Sequence, residues 1–486
     1  MAIRPTVAAE TVTNPGGGNV SFLLDGEIVS VTAGATDSVL DLLRYKLRRT
    51  GTKEGCAEGD CGACTVLLGD PDGEAVNWRA VNACILFVPM LDGKALKTVE
   101  SLSAGGDLHP VQREMIDRHG SQCGFCTPGF VMSLYGRSVG AAGTTGEPVA
   151  DVIAGNLCRC TGYGPILEAG EAVPAGPGDD AGIVAGLRTI ARSNAGPGWF
   201  APETSDELAE LMLANPGARI VAGATDVGLW VTKQHRDLGA VIFIGDIADL
   251  RTIEETPDGL RIGAGVRYNE TRAALARLDP QLGELVRRIG GVQVRNSGTI
   301  GGNIANGSPI GDMPPALIAL GAVLTLRRGD ERRSMALEDF FLSYGKQDRA
   351  ADEFVESVFV PRPATGTIVR VTKLTKRFDS DISAVCGAFA ISIDRGVVSA
   401  ARVAFGGMAG IPARAARCEA ALFGQEWSGA TVEHAALALA EDFRPLDDAR
   451  GSAAYRSLAA GNLLRRLWAE QSGEKVSVLD LVSDHD

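Results

Sequence analysis

The sequence predicts a multidomain protein of the α+β class. Its 486 residues are roughly three times the length of a typical domain, which is about 150 residues. Apolar residues make up 45% of the chain, enough for several hydrophobic cores. Segments with the hydrophobic spacing of strands and segments with the spacing of helices both occur along the chain. Together these observations indicate mixed secondary structure distributed over more than one core.

The N-terminal part has the pattern of a small β-grasp module over residues 20–95. Residues 1–19 are rich in Gly, Thr and Ala, and we expect them to be a disordered leader. Asp25-Gly26 is a type I′ turn signal between two short strands. Asp37 or Ser38 can cap a following helix. The predicted elements are strands at 21–24, 27–31 and 65–68, and a helix with Val39, Leu40, Leu43 and Leu47 on one face.

Four further segments follow the β-grasp module. Residues 96–173 read as a small helical domain, with Pro110 at the first position of a helix and further helices after Cys126 and Pro165. Residues 174–198 contain PAGPGDD and NAGPG, a composition typical of a linker. Strands then alternate with helices over 199–366. The last segment, 367–486, has strand-like stretches at 384–393 and 397–405 before Ala-rich helical ones.

Four cysteines of the β-grasp module have the spacing of an iron–sulfur site. C-x4-C-x2-C followed by a more distant cysteine is the arrangement of plant-type [2Fe-2S] proteins, whereas structural zinc usually pairs two C-x2-C motifs. Glycines 55, 59 and 62 would let backbone N–H groups approach the sulfurs. We therefore predict a [2Fe-2S] cluster. Its ligands are Cys56, Cys61, Cys64 and Cys84.

A second cysteine quartet lies in the helical segment. It combines C-x2-C with a tight C-x-C, and from its spacing alone both iron–sulfur and structural zinc remain open. These cysteines are expected at helix starts, where N–H groups and helix dipoles favour negative charge. Two clusters in one chain would form a relay for single electrons. The ligands of the second site are Cys123, Cys126, Cys158 and Cys160.

Charge and composition exclude several other roles. Sixty acidic and 47 basic residues give a net charge of -13, which argues against nucleic acid or an anionic membrane surface as a partner. The longest apolar run, 316–326, is too short for a membrane span, and no secretory signal is visible. Closely spaced cysteines in such a chain read as reduced thiolates. We expect a cytoplasmic protein.

Two stretches rich in small residues follow the linker. Either can be a tight turn or can bring backbone amides close to a pyrophosphate, and neither has the G-x-G-x-x-G pattern. The charged stretch 373–381 is either a solvated loop or the border of a flavin or nicotinamide site. The small-residue stretches are Ile220, Val221, Ala222, Gly223, Ala224, Thr225, Asp226 and Val227, and Thr299, Ile300, Gly301, Gly302 and Asn303 with an extension to Asp312.

The motifs together resemble the small subunit of bacterial xanthine dehydrogenases, in the molybdenum hydroxylase superfamily. The resemblance covers residues 53 to about 410, and the domain order is similar from about residue 20 to the end. One departure is Ile289, which stands where many relatives have a phenylalanine against the flavin. The motifs that carry the resemblance are EGCAEGDCGACTV, GSQCGFCTPGF, NLCRCTGY, VAGATDVGLWV, TIGGNIANGSPIGD, KRFDSDISAVCG and AFGGMAG.

The resemblance implies a role for each segment. The first quartet would bind the cluster nearer the flavin, and the second would bind the cluster nearer molybdenum. Gln122 would contact the molybdopterin cofactor of a partner subunit. Residues 220–227 and 299–303, with Asp312 and Lys373, would hold FAD, and 375–381 would border the site that NAD approaches. The domain at 199–366 would then be of the PCMH-type α+β FAD-binding class, followed by an α+β flavoprotein domain at 367–486.

The implied function is electron transfer in purine catabolism. A molybdopterin-binding large subunit, in an α2β2 heterotetramer, would hydroxylate xanthine or hypoxanthine, and this chain would be inactive on purines without it. Electrons would pass through two [2Fe-2S] clusters to FAD and on to NAD, with oxygen or a ferredoxin as alternative acceptors. Two other functions remain open. One is the same role for an aldehyde or nitrogen heterocycle, and the other is a non-enzymatic zinc-bound scaffold.

Overall fold

A computed structural model describes residues 17–176, 178 and 180–476. The chain divides into two compact units. The first unit takes its described residues from Met1–Asp249, Arg267–Glu270 and Gly290–Thr299, and the second takes its residues from the remainder. Within the described residues, no helix combines the length and apolar character that crossing a bilayer requires.

The first unit begins with the predicted β-grasp sheet. Five strands are arranged in the order β2-β1-β5-β3-β4, with β1 and β5 parallel and the other pairs antiparallel. Asp25 and Gly26 both have positive φ (52° and 91°), as a type I′ turn requires. The strands are β1 (Gly18–Leu24), β2 (Glu27–Ala33), β3 (Thr65–Asp72), β4 (Ala75–Asn82) and β5 (Ala95–Lys97).

The first strand begins at Gly18, three residues before its predicted start, so Gly18 and Asn19 do not belong to a disordered leader. Of the rest of that predicted leader, Gly17 is described and residues 1–16 lie outside the described residues. The predicted helix is also present, with Ser38 as its cap. It runs over Val39–Asp41 and continues as a π-helical turn over Leu42–Lys46.

The helical domain has the predicted helices. Pro110 occupies the first turn of its helix, and the helix after Cys126 starts at the next residue. The core of this domain is formed by apolar residues such as Phe130, Leu134 and Ile166, which also pack with residues of the sheet. The helices are Pro110–Asp117, Thr127–Ser138, Val149–Val152 and Gly164–Ala172; 3-10 turns lie at Val88–Leu91 and Val99–Gly106.

The segment 174–198, whose composition is typical of a linker, contains a helix, Ala181–Leu187. Ile183, Val184 and Leu187 are buried in the helical-domain core, and this burial stabilises a helix despite the flanking Gly and Pro. A four-stranded sheet follows, in the order β6-β7-β9-β8. The remaining elements of the first unit are β6 (Ala195–Gly196), β7 (Trp199–Phe200), β8 (Arg219–Val221), β9 (Val241–Phe243), and the helices Ser205–Ala214, Val227–Thr232 and Val292–Arg295.

A buried charge cluster centred on Asp70 joins distant parts of the first unit. Arg79 lies 2.9 Å, Lys94 3.3 Å and Arg267 3.4 Å from the Asp70 carboxylate. Burial by itself would raise the pKa of Asp70, but the three cations outweigh it and hold the pKa well below its usual range. Asp70 therefore remains ionised and ties strands β3 and β4 to the segment that contains Arg267.

We expect Asp70→Asn to destabilise the protein at neutral pH by about 3–5 kcal/mol, because three buried cations lose their shared partner. The lowered pKa sets the direction of the pH dependence. The stabilisation is complete above about pH 4, the range of an unperturbed aspartate, and is lost as pH falls toward the folded pKa. Acid unfolding curves of the variant should therefore be flatter than those of the parent. Asp72→Asn, an exposed position on the same strand, is the control and should leave the curve unchanged.

The second unit contains three antiparallel sheets. A five-stranded sheet has the order β10-β11-β16-β12-β13, β14 pairs with β15, and a four-stranded sheet has the order β17-β18-β19-β20. The predicted strands at 384–393 and 397–405 are β18 and β19. The strands are β10 (Ile253–Thr256), β11 (Gly259–Gly263), β12 (Val323–Arg328), β13 (Glu331–Ala336), β14 (Phe341–Ser343), β15 (Lys346–Gln347), β16 (Phe354–Pro361), β17 (Thr367–Leu374), β18 (Val385–Asp394), β19 (Val397–Gly406) and β20 (Ala413–Arg414).

Helices cover the last sheet of this unit. Its core contains Phe389, Phe405 and Phe443, whose rings meet edge to face at centroid separations of 5.6–5.7 Å. The helices are Pro280–Arg287, Ile300–Asn306, Met313–Ala319, Ala416–Leu422, Gly429–Asp442, Ala453–Gln471 and most of Tyr268–Leu278. The mixture of sheets and helices in both units confirms the predicted α+β class.

Candidate functional site

The structure brings the four cysteines of the first quartet together. Cys56 lies within hydrogen-bonding reach of both Cys61 and Cys84, and Cys84 also reaches Cys64. Hydrogen bonding between Cys56 and Cys61 lowers the pKa of Cys56 and raises that of Cys61. Cys64 and Cys84 are buried, whereas Cys56 and Cys61 are half-buried. The thiols thus form a compact group with two members beneath the surface.

Backbone amides approach the sulfur of Cys56. The N–H groups of Glu58 and Cys61 each donate to Cys56 Sγ over 3.4 Å. Gly55 makes a different contribution, because a Cβ at this position would lie 2.8 Å from Cys61 Sγ. The glycine therefore leaves room for a sulfur, and N–H donors of the kind that tune cluster potentials come from neighbouring residues.

The second quartet also assembles, at the surface of the helical domain. The sulfurs of Cys123 and Cys160 are 3.5 Å apart, and Cys126 lies within hydrogen-bonding reach of Cys158. Burial raises the pKa of Cys126 to about 12. The prediction that these cysteines lie at helix starts is confirmed for Cys126, the N-cap residue of the helix Thr127–Ser138, and is wrong for Cys123, Cys158 and Cys160, which lie in loops. Cys123 and Cys160 are exposed.

The four thiols of each quartet fit the donor set of a two-iron cluster. Within the described part of the chain, no group of three or more His, Cys, Asp or Glu side chains is arranged to hold a single metal ion. In the second quartet the sulfurs approach in pairs, Cys123 with Cys160 and Cys126 with Cys158. A [2Fe-2S] cluster takes four thiolates shared between two irons, so the donor set and its pairing fit this group.

The ligand loops of the two quartets are in direct backbone contact. The amide of Leu157, next to Cys158, donates to the carbonyl oxygen of Cys61 over 2.9 Å. Gly62 faces Gly155, and a Cβ on Gly62 would lie 2.3 Å from the Gly155 carbonyl oxygen. A Cβ on Gly129 would likewise lie 2.2 Å from the Gly62 oxygen. The approach depends on glycine, since no other residue leaves space for it.

The first small-residue stretch begins, as predicted, with a strand that runs into a turn. Ile220 and Val221 end β8, and Ala224 has a left-handed φ of 57°. Gly223 lies against the segment that carries Ser297, and a Cβ on Gly223 would overlap the Ser297 oxygen at 1.7 Å. This turn, the candidate pyrophosphate cradle, packs so closely on the Ser297 backbone that only glycine fits at position 223.

The helix that follows this turn covers the first quartet. Thr232 Oγ1 donates to the carbonyl oxygen of Ala57, next to Cys56, over 2.7 Å. Gly228 packs on Ile85, next to Cys84, so closely that a Cβ on Gly228 would lie 2.7 Å from the Ile85 Cβ. Residues 220–232 therefore run without interruption from the candidate cradle to the loop of the first quartet.

The second small-residue stretch is mainly helical, whereas its sequence pattern allows a tight turn or a pyrophosphate-binding stretch. Ile300–Asn306 forms a helix in which Gly301 faces Ala264 with no space for a Cβ, the nearest atom lying 2.3 Å away. Its glycine thus serves helix packing. Asn303 Oδ1 is buried and has no hydrogen-bond partner among the described residues, as an acceptor reserved for a ligand would be.

Asp312 and Lys373 form a buried ion pair in the second unit. Lys373 Nζ lies 2.5 Å from Asp312 Oδ2, and the hydroxyl of Ser383 also donates to this carboxylate. Lys373 is part of β17, so the charged stretch 373–381 begins in a strand. Beyond it, Phe378 is covered by the guanidinium groups of Arg287 and Arg288, 5.5 and 4.4 Å from its ring centre.

The other residues of interest are Gln122, the predicted contact with a partner's cofactor, and the two cysteines outside the quartets. Gln122 is exposed beside Cys123, and the structure gives it no role within the chain. Cys386 and Cys418 are fully buried and far in sequence from both quartets, and burial raises the pKa of each thiol. Gln293, Gly155 and Thr232, which contact the ligand loops, were not predicted. No spacing rule distinguishes a lone glutamine, glycine or threonine, so only the fold reveals them.

Comparison with known protein families assigns each segment. Residues 22–89 match the 2Fe-2S iron-sulfur cluster binding domain, and residues 98–171 match the [2Fe-2S] binding domain. Residues 192–363 match the FAD binding domain in molybdopterin dehydrogenase. Residues 370–471 match the CO dehydrogenase flavoprotein C-terminal domain. Two [2Fe-2S] domains and an FAD-binding domain are therefore present in this chain.

Similar proteins of full length include two xanthine dehydrogenases. The chain is 30% identical to xanthine dehydrogenase of Emericella nidulans, with 92% of this chain and 38% of that protein covered. It is 29% identical to xanthine dehydrogenase/oxidase of Rattus norvegicus, with 89% of this chain and 37% of that protein covered. The chain thus spans less than two fifths of the length of these relatives.

Solved structures resemble somewhat more than half of this chain. Carbon monoxide dehydrogenase from Hydrogenophaga pseudoflava is 30% identical, with a TM-score of 0.53 over 55% of this chain and 94% of the other. Quinoline 2-oxidoreductase from Pseudomonas putida 86 is 25% identical, with a TM-score of 0.52 over 56% of this chain and 95% of the other. With four consecutive family matches and these relatives, the chain belongs to the molybdenum hydroxylase family, as a part that carries two [2Fe-2S] domains and an FAD-binding flavoprotein region.

Proposed function

We propose that this chain is the electron-transfer subunit of a xanthine dehydrogenase. Xanthine or hypoxanthine would be hydroxylated on a molybdopterin-binding partner, in an α2β2 assembly located in the cytoplasm. Electrons would enter at the second quartet, pass to the first, and leave through FAD to NAD. When bound, the clusters supply one-electron transfer, and FAD links it to two-electron chemistry.

The order of contacts along the chain carries this proposal. The second quartet has two exposed cysteines, as a site that receives electrons from a partner requires. Its loop meets the first quartet through the Leu157–Cys61 hydrogen bond. The first quartet in turn meets residues 220–232, which lead to the candidate flavin cradle. Direct contacts therefore connect the exposed cysteines of the second quartet, the loop of the first quartet and the candidate flavin cradle.

Within this proposal, the two quartets are the cluster ligands, with Cys56, Cys61, Cys64 and Cys84 nearer the flavin. Residues 220–227 and 299–303, with Asp312 and Lys373, hold FAD. The unpaired acceptor on Asn303 supports this assignment. Gln122 contacts the partner's cofactor, and 375–381 borders the NAD site. The domain limits at residues 95, 173, 198 and 366 are part of the same proposal.

The choice of xanthine rests on similarity. The match to the two xanthine dehydrogenases covers 92% and 89% of this chain. A nitrogen heterocycle is the second candidate substrate, because the match to quinoline 2-oxidoreductase covers 95% of that chain.

The proposal is tested by an anaerobic visible spectrum of the complex purified from its native host. Xanthine is expected to bleach the iron–sulfur and flavin bands, and NADH is expected to bleach the same bands from the other end. Bleaching by quinoline and not by xanthine would favour the second candidate. A colourless protein that contains zinc and no iron or flavin would contradict both.

A further inference from the structure

Gln293 lies where the two cluster loops meet. The side chain is 1% exposed, within the segment Gly290–Thr299 of the first unit. Its Nε2 lies 3.0 Å from Thr65 Oγ1, 3.2 Å from Ser133 Oγ and 3.1 Å from Asn156 Oδ1. One amide group thus contacts a residue of the β-grasp domain and two residues of the helical domain.

The partners of Gln293 are adjacent to the cysteines. Thr65 follows Cys64 directly, and Asn156 precedes Cys158 by two residues. Asn156 Nδ2 also donates to the Gly62 carbonyl oxygen over 3.1 Å, and Ser133 Oγ donates to Asn156 Oδ1 over 2.8 Å. These bonds form a buried network that spans both ligand loops and couples their positions through the Gln293 Nε2 group.

The backbone around Gln293 is as close to the cluster loops as its side chain. A Cβ on Gly155 would lie 2.1 Å from Gln293 Oε1 and 3.0 Å from the Gly291 Cα. Farther along the same segment, the Ser297 oxygen and the Gly298 amide lie against Gly223 of the candidate flavin cradle. The segment therefore touches both cluster loops and the flavin loop within ten residues.

We propose that Gln293 is a positioning residue for electron transfer, which sets the separation and orientation of the two cluster loops. This inference rests on the proposed function, since it presupposes that both quartets hold clusters. Electron transfer rates fall steeply with the distance between centres. A residue that holds two ligand loops together therefore acts on the rate without touching either cluster. A purely structural role would instead affect stability alone.

Gln293→Met tests the proposal, because it keeps the length of the side chain and removes its hydrogen bonds. The protein is purified with clusters and flavin, and the bound FAD is photoreduced in the absence of xanthine and NADH. The arrival of electrons at each cluster is followed by electron paramagnetic resonance, along with the splitting that arises when both clusters are reduced. We expect a smaller splitting and electron transfer between the clusters slowed by about 10-fold or more, the size of effect typical of changes around metal ligands.

The matched control is Gln347→Met, which removes a glutamine that donates to the Ala305 carbonyl in the second unit. It should leave both the splitting and the rate unchanged. Ser133→Ala removes one acceptor of Gln293 and keeps the proposal testable if Gln293→Met does not fold. An unchanged splitting and rate in a folded variant of either kind would overturn the proposal. If the parent protein itself passes no electrons between two clusters, the proposed function fails instead.

Discussion

Cys158→Ser is expected to block the reduction of flavin by xanthine and to spare its reduction by NADH. The thiolate is the form that binds iron, and a serine hydroxyl does not ionise near neutral pH. Cys158 Sγ also lies 3.2 Å from Thr161 Oγ1 and accepts a hydrogen bond from the amide of Cys160 over 3.4 Å. Replacing a residue that hydrogen-bonds to a metal ligand typically costs about 10- to 100-fold in activity. We expect the loss of the ligand Cys158 itself to reduce xanthine-driven flavin reduction by more than this.

The measurement is anaerobic stopped-flow absorbance at the flavin band, with each reductant in turn. Cys418→Ser is the matched control, since Cys418 is also buried and lies in the C-terminal core. This control should behave as the parent with both reductants. An equal loss of xanthine-driven and NADH-driven reduction in Cys158→Ser would contradict the proposed order of the clusters.

Gly223→Ala is expected to remove most of the flavin while the iron content stays at the parental level. The added Cβ would overlap the Ser297 carbonyl oxygen at 1.7 Å, and neither backbone can move without opening the turn. Overpacking of this severity costs about 3 kcal/mol. If the same free energy is lost from the binding of FAD, the affinity for FAD falls about 100-fold.

Flavin released by denaturation and total iron, both per chain, measure this outcome. Gly217→Ala is the control, because a Cβ there meets no atom within 4 Å. Parental flavin content in Gly223→Ala would show that the turn does not hold the cofactor. Loss of iron and flavin together would indicate general unfolding.

Local signals in the sequence predicted much of the fold. Asp25-Gly26 encodes its turn in two adjacent residues with positive φ, and Pro110 encodes a helix start. Five of the eight quartet cysteines could be predicted in the same way, because C-x4-C-x2-C and C-x2-C place them close together in the chain. Each of these features depends on residues close together in the chain, which is what a single sequence displays.

Features that depend on tertiary contacts were missed. The helix Ala181–Leu187 was hidden by neighbouring Gly and Pro, although Ile183, Val184 and Leu187 have helical spacing. The small-residue pattern allows a tight turn at Gly301, whereas Gly301 lies in a helix and packs directly against Ala264. Gln293 owes its position to three partners that are 137 to 228 residues away in sequence, and no local pattern indicates them.

The composition of the first unit limits how the protein can be divided. Domain order suggests that the iron–sulfur part could be excised at the glycine- and proline-rich stretch before residue 199. Such a fragment would lack Arg267, leaving Asp70 one cation short, and would lack Gln293, leaving Thr65 and Ser133 without their shared donor. A fragment that ends before residue 199 would therefore lose buried contacts of the iron–sulfur domains. An exchange of these domains between relatives would have to include residues 267–270 and 290–299.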